Sequence, residues 1–367
     1  MAYSNPTTKS GHNMFDMASL LQKAIRRGDA ERAGFAAYEL FGGYDSFLWK
    51  RLFVVSAEDC WGVLTKEIAD LHRKHLAFNA EKKGYWKDPT FVSEAVDLLC
   101  KAKKSRDACY FACNFILSNN QGTDMGNDDD LVDDVADALN DDRQMNMLGR
   151  AVPTAKEYLA TNLIKAIMSC DMENAGAKTR ELMNLDMAYM WKAFGYAASA
   201  IADLKLLNEL AALKAADEKV NAKKKPEERD PIFIAKAIMN MMYYQCGLYD
   251  SVLSEPSMDY VNVLDWSGRE SVSIAECRLP GGVIPEYVFD VHTIKGKKAG
   301  KTDWGMNLVE NDALNPFQKA FFEEGSWELR YDYKHEHGLC TEKEWQMSLE
   351  YRKDHEANPA KRILNHA

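Results

Sequence analysis

No stretch of this sequence approaches eighteen consecutive apolar residues, so nothing in it reads as a helix that crosses a bilayer. The opening MAYSNPTTKSGHN has neither the basic start nor the apolar run of a secretory signal. The expectation is a soluble, cytoplasmic protein with no membrane partner. Eight cysteines are present, none in a CxxC pair, and such spacing does not build a disulfide framework. Cys109 and Cys113, one helical turn apart beside Tyr110, Phe111 and Phe115, read as core, because structural zinc needs more ligands than one such pair. There is no GxxxxGK[ST] phosphate loop, so the cradle, lysine and magnesium ligand of ATP hydrolysis are missing. No cofactor and no metal are expected.

What is present is a repeat. Leu21 to Lys50, LQKAIRRGDAERAGFAAYELFGGYDSFLWK, returns without a gap at Leu163 to Lys192 as LIKAIMSCDMENAGAKTRELMNLDMAYMWK. Twelve of these thirty positions are identical, against roughly two expected by chance. At the same offset Asp88-Pro89 and Phe91 fall on Asp230-Pro231 and Phe233. Such self-similarity has to be recognised before any fold is assigned. The retained residues have mechanical roles. Asp29 and Asp171 lie where one apolar-periodic segment stops and the next begins, as helix caps do. Gly34 and Gly176 are small residues in mid-helix, where glycine costs about 1 kcal/mol relative to alanine, and the close approach of a neighbouring helix explains them. Proline in Asp88-Pro89 and Asp230-Pro231 suits the first helical position.

The apolar period is helical through most of the chain. Helices are expected at Met14 to Arg27, Ala30 to Leu40, Ser46 to Asp59, Lys66 to Ala80, Pro89 to Lys101 and Arg106 to Leu117. In the second copy they are expected at Ala155 to Ser169, Met172 to Leu182, Ala188 to Glu218 and Pro231 to Gln245. The net charge of −10 is concentrated in an aspartate-rich stretch from Asp124 to Asp142, which reads as a solvated linker. DMGNDDDLVDD has neither the DxDxDG spacing nor the twelfth-position glutamate of a calcium loop. From Tyr260 the texture changes to VNVLDW, SVSIAECRLPGG and PEYVFDVHT, which leaves room for one short hairpin, and a helix is expected from Thr341 to Glu356. The reading is therefore all-α, with two tandem helical-bundle repeats at a fixed offset. Helical repeat 1 occupies 14–120, an acidic linker 121–150, a diverged helical repeat 2 151–250 and an irregular C-terminal extension 251–367.

The first copy resembles the C-terminal, non-ATPase region of the replication-associated recombination protein A family of AAA ATPases. The residues that carry the likeness are LLQKAIRRGDAERAGFAAYEL, Arg51-Leu52, Ser56-Ala57-Glu58-Asp59 before Gly62, and AVDLLCKAKKSRDACYFA with Lys104-Ser105. Asp290, His292, Gly296 and Gly300 are similar to a DxH segment with spaced glycines, although one glycine spacing differs by one. The likeness covers residues 14–117. It implies a helical collar that holds subunits together near DNA, and hence assembly or docking without ATP hydrolysis. The second copy has Ala198-Ser199-Ala200-Ile201 in place of Ser56-Ala57-Glu58-Asp59 and Cys246-Gly247 in place of Lys104-Ser105.

Several candidate sites follow. Adjacent residues of a helix point about 100° apart, so Glu58 and Asp59 are expected to have a structural role, capping or pairing with Arg51, rather than to converge unaided as an acid and base. Lys82, Lys83 and Lys87 with Lys103, Lys104 and Arg106 form either a basic strip for phosphates or an ordinary solvated face. Tyr85 and Trp86 beside it suit base stacking or packing over the core. Lys297 and Lys298 are further phosphate candidates. Asp29, Gly34, Trp49, Arg51, Glu58, Asp59, Asp171, Gly176 and Trp191 are read as structural or interface residues. His292 with Asp290 on one face of a strand is the most enzyme-like pairing, but no nucleophile accompanies it. HEH at His335 to His337 with Asp332 offers too few ligands for a metal site. Two functions remain open. One is a non-catalytic scaffold, oligomerisation or adaptor protein of DNA replication, recombination or repair, with a protein partner or self-association and some contact with DNA. The other is a nucleic-acid-processing enzyme that uses His292 and Asp290.

Overall fold

In the computed structural model, residues 6–102, 105, 107–117, 139, 154–225, 228–245, 272–289, 293–298, 342, 345, 346 and 349 are described. Among them the protein is all-α, with no strand and one isolated antiparallel bridge between Thr7 and Asn13. The chain divides into two compact units. The first gathers Met1–Trp61, Glu67–Arg106 and Pro256–Ala367, the second Gly62–Lys66 and Asp107–Glu255.

In the first unit the helix ends follow from polar side chains that satisfy free amides. Asn13 caps α1 (Met14–Arg26) by accepting from Phe15 and Asp16, and Asp29 caps α2 (Ala30–Leu40) by accepting from Arg32. Gly28 turns the chain between them at φ 64°. α3 (Asp45–Glu58), α4 (Thr65–Phe78) and α5 (Thr90–Lys101) follow. The core is Met17, Leu20, Leu21, Ile25, Leu40, Trp49, Leu52, Val55, Val92, Val96 and Leu99, each with no more than 1% exposure. Of the segment from Tyr260 whose alternating texture left room for a hairpin, residues 272–289 contain no strand, and VNVLDW lies outside the described residues. Residues 272–289 form coil with 3₁₀ turns at Pro280–Gly282 and Glu286–Val288. Besides turns within the segment, their backbone groups bond to side chains of α1, α2 and α5 instead of a sheet partner, with the Ile274 amide donating to Ser93 at 3.1 Å. Lys23 donates to the carbonyls of Tyr287 and Val288 at 2.8 and 3.3 Å. Ser19 donates to the Val288 carbonyl at 2.7 Å, and the Arg278 amide donates to Glu31 at 2.7 Å. A methyl at Gly34 would collide with Sγ of Cys277, so this coil, not a helix, is what the glycine admits.

The second unit starts with α6 (Asp107–Phe111), which runs into a π-turn at Ala112–Ile116. The wider turn stacks Phe111 on Phe115 at 5.4 Å and buries both. It also leaves Cys109 half-buried and Cys113 exposed, so this pair is not core as expected. α7 (Ala155–Met168) and α8 (Met172–Leu185) form the next hairpin, capped by Asp171, which accepts from Asn174. Cys170, at φ 57°, takes the place of Gly28 in the corresponding turn, and it is disulfide-bonded. A methyl at Gly176 would strike Phe115. The helix expected from Ala188 to Glu218 is two, α9 (Met187–Ile201) and α10 (Leu204–Asn221). Ala202 leaves the helix at φ 60°, and Asp203 caps the next one by accepting from Leu206. α11 (Ile232–Gln245) closes the unit, with Phe233, Ile238 and Met241 fully buried. A last short helix, α12 (Ile294–Lys298), belongs to the first unit, and the four described residues of 341–356 are helical.

A left-handed alanine carries a steric cost of about 1–2 kcal/mol that glycine does not. Ala202→Gly is expected to raise stability by about 0.5–1 kcal/mol in chemical denaturation, provided the capped geometry is kept.

Candidate interaction site

α4 ends in an asparagine that does the work of a turn. The Asn79 side chain accepts from the Asp88 amide at 2.7 Å and donates to the Asp88 carbonyl at 3.1 Å. This closes residues 80–87 into a loop whose mouth is fixed by one side-chain amide. The same two bonds recur at the corresponding positions of the second copy, where Asn221 accepts from Asp230 at 3.2 Å and donates to its carbonyl at 3.0 Å. Asp88 and Asp230 then each accept from the amide two residues on, Thr90 at 2.9 Å and Ile232 at 3.1 Å. Beneath the first clamp, Nδ2 of Asn79 lies 3.2 Å from Nδ1 of His75. Burial pushes the His75 pKa down from its usual value near 6.5. His72 and His75 flank the Trp49 indole at 4.8 and 5.3 Å.

The loop itself holds a 3₁₀ turn at Gly84–Trp86. The Tyr85 ring lies directly over Gly42, which has φ 84° and no room for a side chain. Tyr85 is thus anchored on its own unit, while Trp86 keeps 87% of its surface exposed. Lys82 and Lys83 are exposed beside it, and Lys82 sits 4.6 Å from the ring of Phe78, itself 56% exposed. Lys87 is different: its ammonium pairs with Asp45, whose carboxylate also accepts from the Gly42 amide. Two of the expected phosphate-binding lysines therefore stand at the surface with an indole, and the third is engaged.

Glu58 and Asp59 do not pair with Arg51, whose guanidinium lies near Phe47 at 5.7 Å. Their partner is Arg26 of α1, which reaches Glu58 at 3.0 Å and the fully buried Asp59 at 2.5 Å. Gln22 donates to both carboxylates at 3.0 Å. Asp59 ends α3 as its C-cap, and leaving the helix there lets adjacent carboxylates converge after all. At the corresponding positions of the second copy stand Ile164, Met168, Ala200 and Ile201, so all four polar residues change together. Asp29, Asp171, Gly34 and Gly176 occupy the cap and close-approach positions described above, and Trp49 and Trp191 are buried. Lys297 and Lys298 are exposed on α12. Lys103, Lys104, Arg106, Asp290, His292, the aspartates of 124–142, Asp332 and the HEH histidines lie outside the described residues. Among the described residues no three His, Cys, Asp or Glu side chains gather as a metal site.

Comparison with protein-family models, curated proteins and solved structures finds no match to this chain. Sequence reasoning missed Asn79 and Asn221, although an asparagine at both positions of the repeat was the available signal.

Breaking a buried ion pair from one side costs about 3–5 kcal/mol, whereas replacing the whole group by apolar residues is close to neutral. Arg26→Met is therefore expected to destabilise by about that amount. Combining it with Gln22→Ile, Glu58→Ala and Asp59→Ile should recover most of the loss in urea denaturation.

Proposed function

We propose that this chain is a non-catalytic helical scaffold or adaptor that contacts single-stranded nucleic acid through the loop of residues 80–87. The observation that supports this reading is the combination at that loop: an indole almost wholly exposed, held by a clamped and anchored turn, with two exposed lysines next to it. Exposing an indole is costly unless a partner covers it. Aromatic side chains that present a face to successive bases beside a cationic track are the usual means of binding single strands without sequence preference. Arg26 pairs with Glu58 and Asp59 inside the first unit, which fits a framework role for those residues. A connection with DNA replication, recombination or repair, and with assembly around a protein partner, rests on the resemblance of residues 14–117.

Fluorescence anisotropy with a labelled oligothymidine tests it. Binding should weaken steeply with salt. Trp86→Ala should weaken it by about 5- to 150-fold, the equivalent of one stacked base at about 1–3 kcal/mol. Lys82→Ala with Lys83→Ala should flatten the log–log salt slope by about 1.4, that is, about 0.7 for each phosphate no longer neutralised. No binding at low salt, or binding indifferent to both sets of changes, contradicts the proposal.

A further inference from the structure

The second unit contains a cavity of about 360 Å³ lined by Met187, Trp191, Lys214, Asp217, Asn221 and Arg229 among others. In the alignment of the two copies its walls correspond to a group that is closed in the first unit. There, Asp45 pairs with Lys87, and the rings of His72 and His75 pack against Trp49. Met187 replaces Asp45, Arg229 replaces Lys87, Lys214 replaces His72 and Asp217 replaces His75. Two consequences follow. The rings that cover the indole in the first unit are gone, and the cation at the loop mouth no longer faces an aspartate at the position of Asp45, although Asp217 remains within its electrostatic reach.

Arg229 accordingly forms no ion pair among the described residues, and its Nε is shielded from solvent without a hydrogen-bond partner. A buried N–H left unmade costs about 1–3 kcal/mol, so a shift of the guanidinium that turned its Nε toward an incoming acceptor would be favoured. The indole N–H of Trp191 is also buried and without an acceptor, as is that of Trp49 in the closed group. Asp217 lies close enough for the Arg229 charge to favour its ionised form but makes no ion pair with it: it accepts from Asn221 at 2.7 Å, and burial, the largest influence, raises its pKa. Lys214 lies 3.9 Å from Glu218 on the exposed side. With one guanidinium outside any ion pair and two carboxylates nearby, the pocket suits a singly charged anion better than a phosphate. Met187, Ala188, Trp191 and Ala222 supply apolar wall for its body.

We infer that this pocket binds a small monocarboxylate with a flat apolar body, its carboxylate taking at Arg229 the place that Asp45 takes at Lys87. The carboxylate is the recognised chemistry, whether carried by a free molecule or by the C-terminus of a peptide. The intact protein titrated with benzoate, with benzamide, and with an acetylated tripeptide ending in phenylalanine as free acid or amide, followed by saturation-transfer NMR, decides the matter. Benzoate or the peptide acid should bind, and whichever does identifies the source, with the matching amide at least about tenfold weaker, as expected when a charged hydrogen bond is lost. Arg229→Gln should weaken the acid by at least about tenfold. Met187→Asp rebuilds the first unit's ion pair inside the pocket and should weaken it as much by self-occupancy, without removing the guanidinium. Amides that bind as well as the acids, acids that bind unchanged in both variants, or no saturation from any of the four probes overturns the inference.

Discussion

A side-chain amide paired with both backbone groups of a residue nine positions later fixes where each unit can present chemistry. Asn79 grips Asp88 and Asn221 grips Asp230. Each clamp supplies two hydrogen bonds, worth about 0.5–1.5 kcal/mol apiece when made and more when left unmade. That energy goes into loop closure, whose entropic cost would otherwise leave the loop before each gripped aspartate open. Lys87 and Arg229 immediately precede the gripped residues, so their reach is set by the clamp. So is the turn that sets Tyr85 on Gly42 and leaves Trp86 outward.

Around that constraint the two units keep their capping aspartates, while helix lengths and several side-chain groups differ. Asp29 and Asp171 cap, and Gly28 and Cys170 turn in the left-handed region. Gly34 and Gly176 admit a neighbour at the same place, but the neighbour differs: Cys277 in one, Phe115 in the other. The ionic group of Arg26, Glu58 and Asp59 stands opposite apolar residues in the second copy. Asp45 and Lys87 stand opposite Met187 and Arg229. Retained positions include caps and close approaches and also core residues such as Trp49 and Trp191, whereas the left-handed Gly28 has become Cys170. Side chains that meet each other, as Arg26 meets Glu58 and Asp59, have changed together, and such groups can be exchanged as sets at little net cost.

This division explains what could be read from the amino acids alone. Caps and the helical period are local, and the residues near them announce them. The break at Ala202 was hidden because an alanine occupies a conformation usually announced by glycine. Arg26 as the partner of Glu58 and Asp59 was out of reach because it lies more than thirty positions away in sequence, while Arg51 lay within two turns. The texture of 272–289 suggested strands because Val272, Ile274 and Cys277 are buried between exposed Ser273 and Glu276, an alternation that this coil shows without pairing as a strand. The pocket was legible in principle. Comparing positions 45 with 187 and 87 with 229 shows a carboxylate lost and a cation kept, but that pattern has meaning only once Asp45 and Lys87 are known to touch.

Amide hydrogen exchange at Asp88 and Asp230 measures the clamps most directly. Both N–H groups should be protected well beyond the neighbouring loop amides. Asn79→Ala should abolish protection at Asp88 alone, and Asn221→Ala protection at Asp230 alone. Exchange at both sites as fast as in an open loop, or protection that survives loss of the asparagine, would contradict the account.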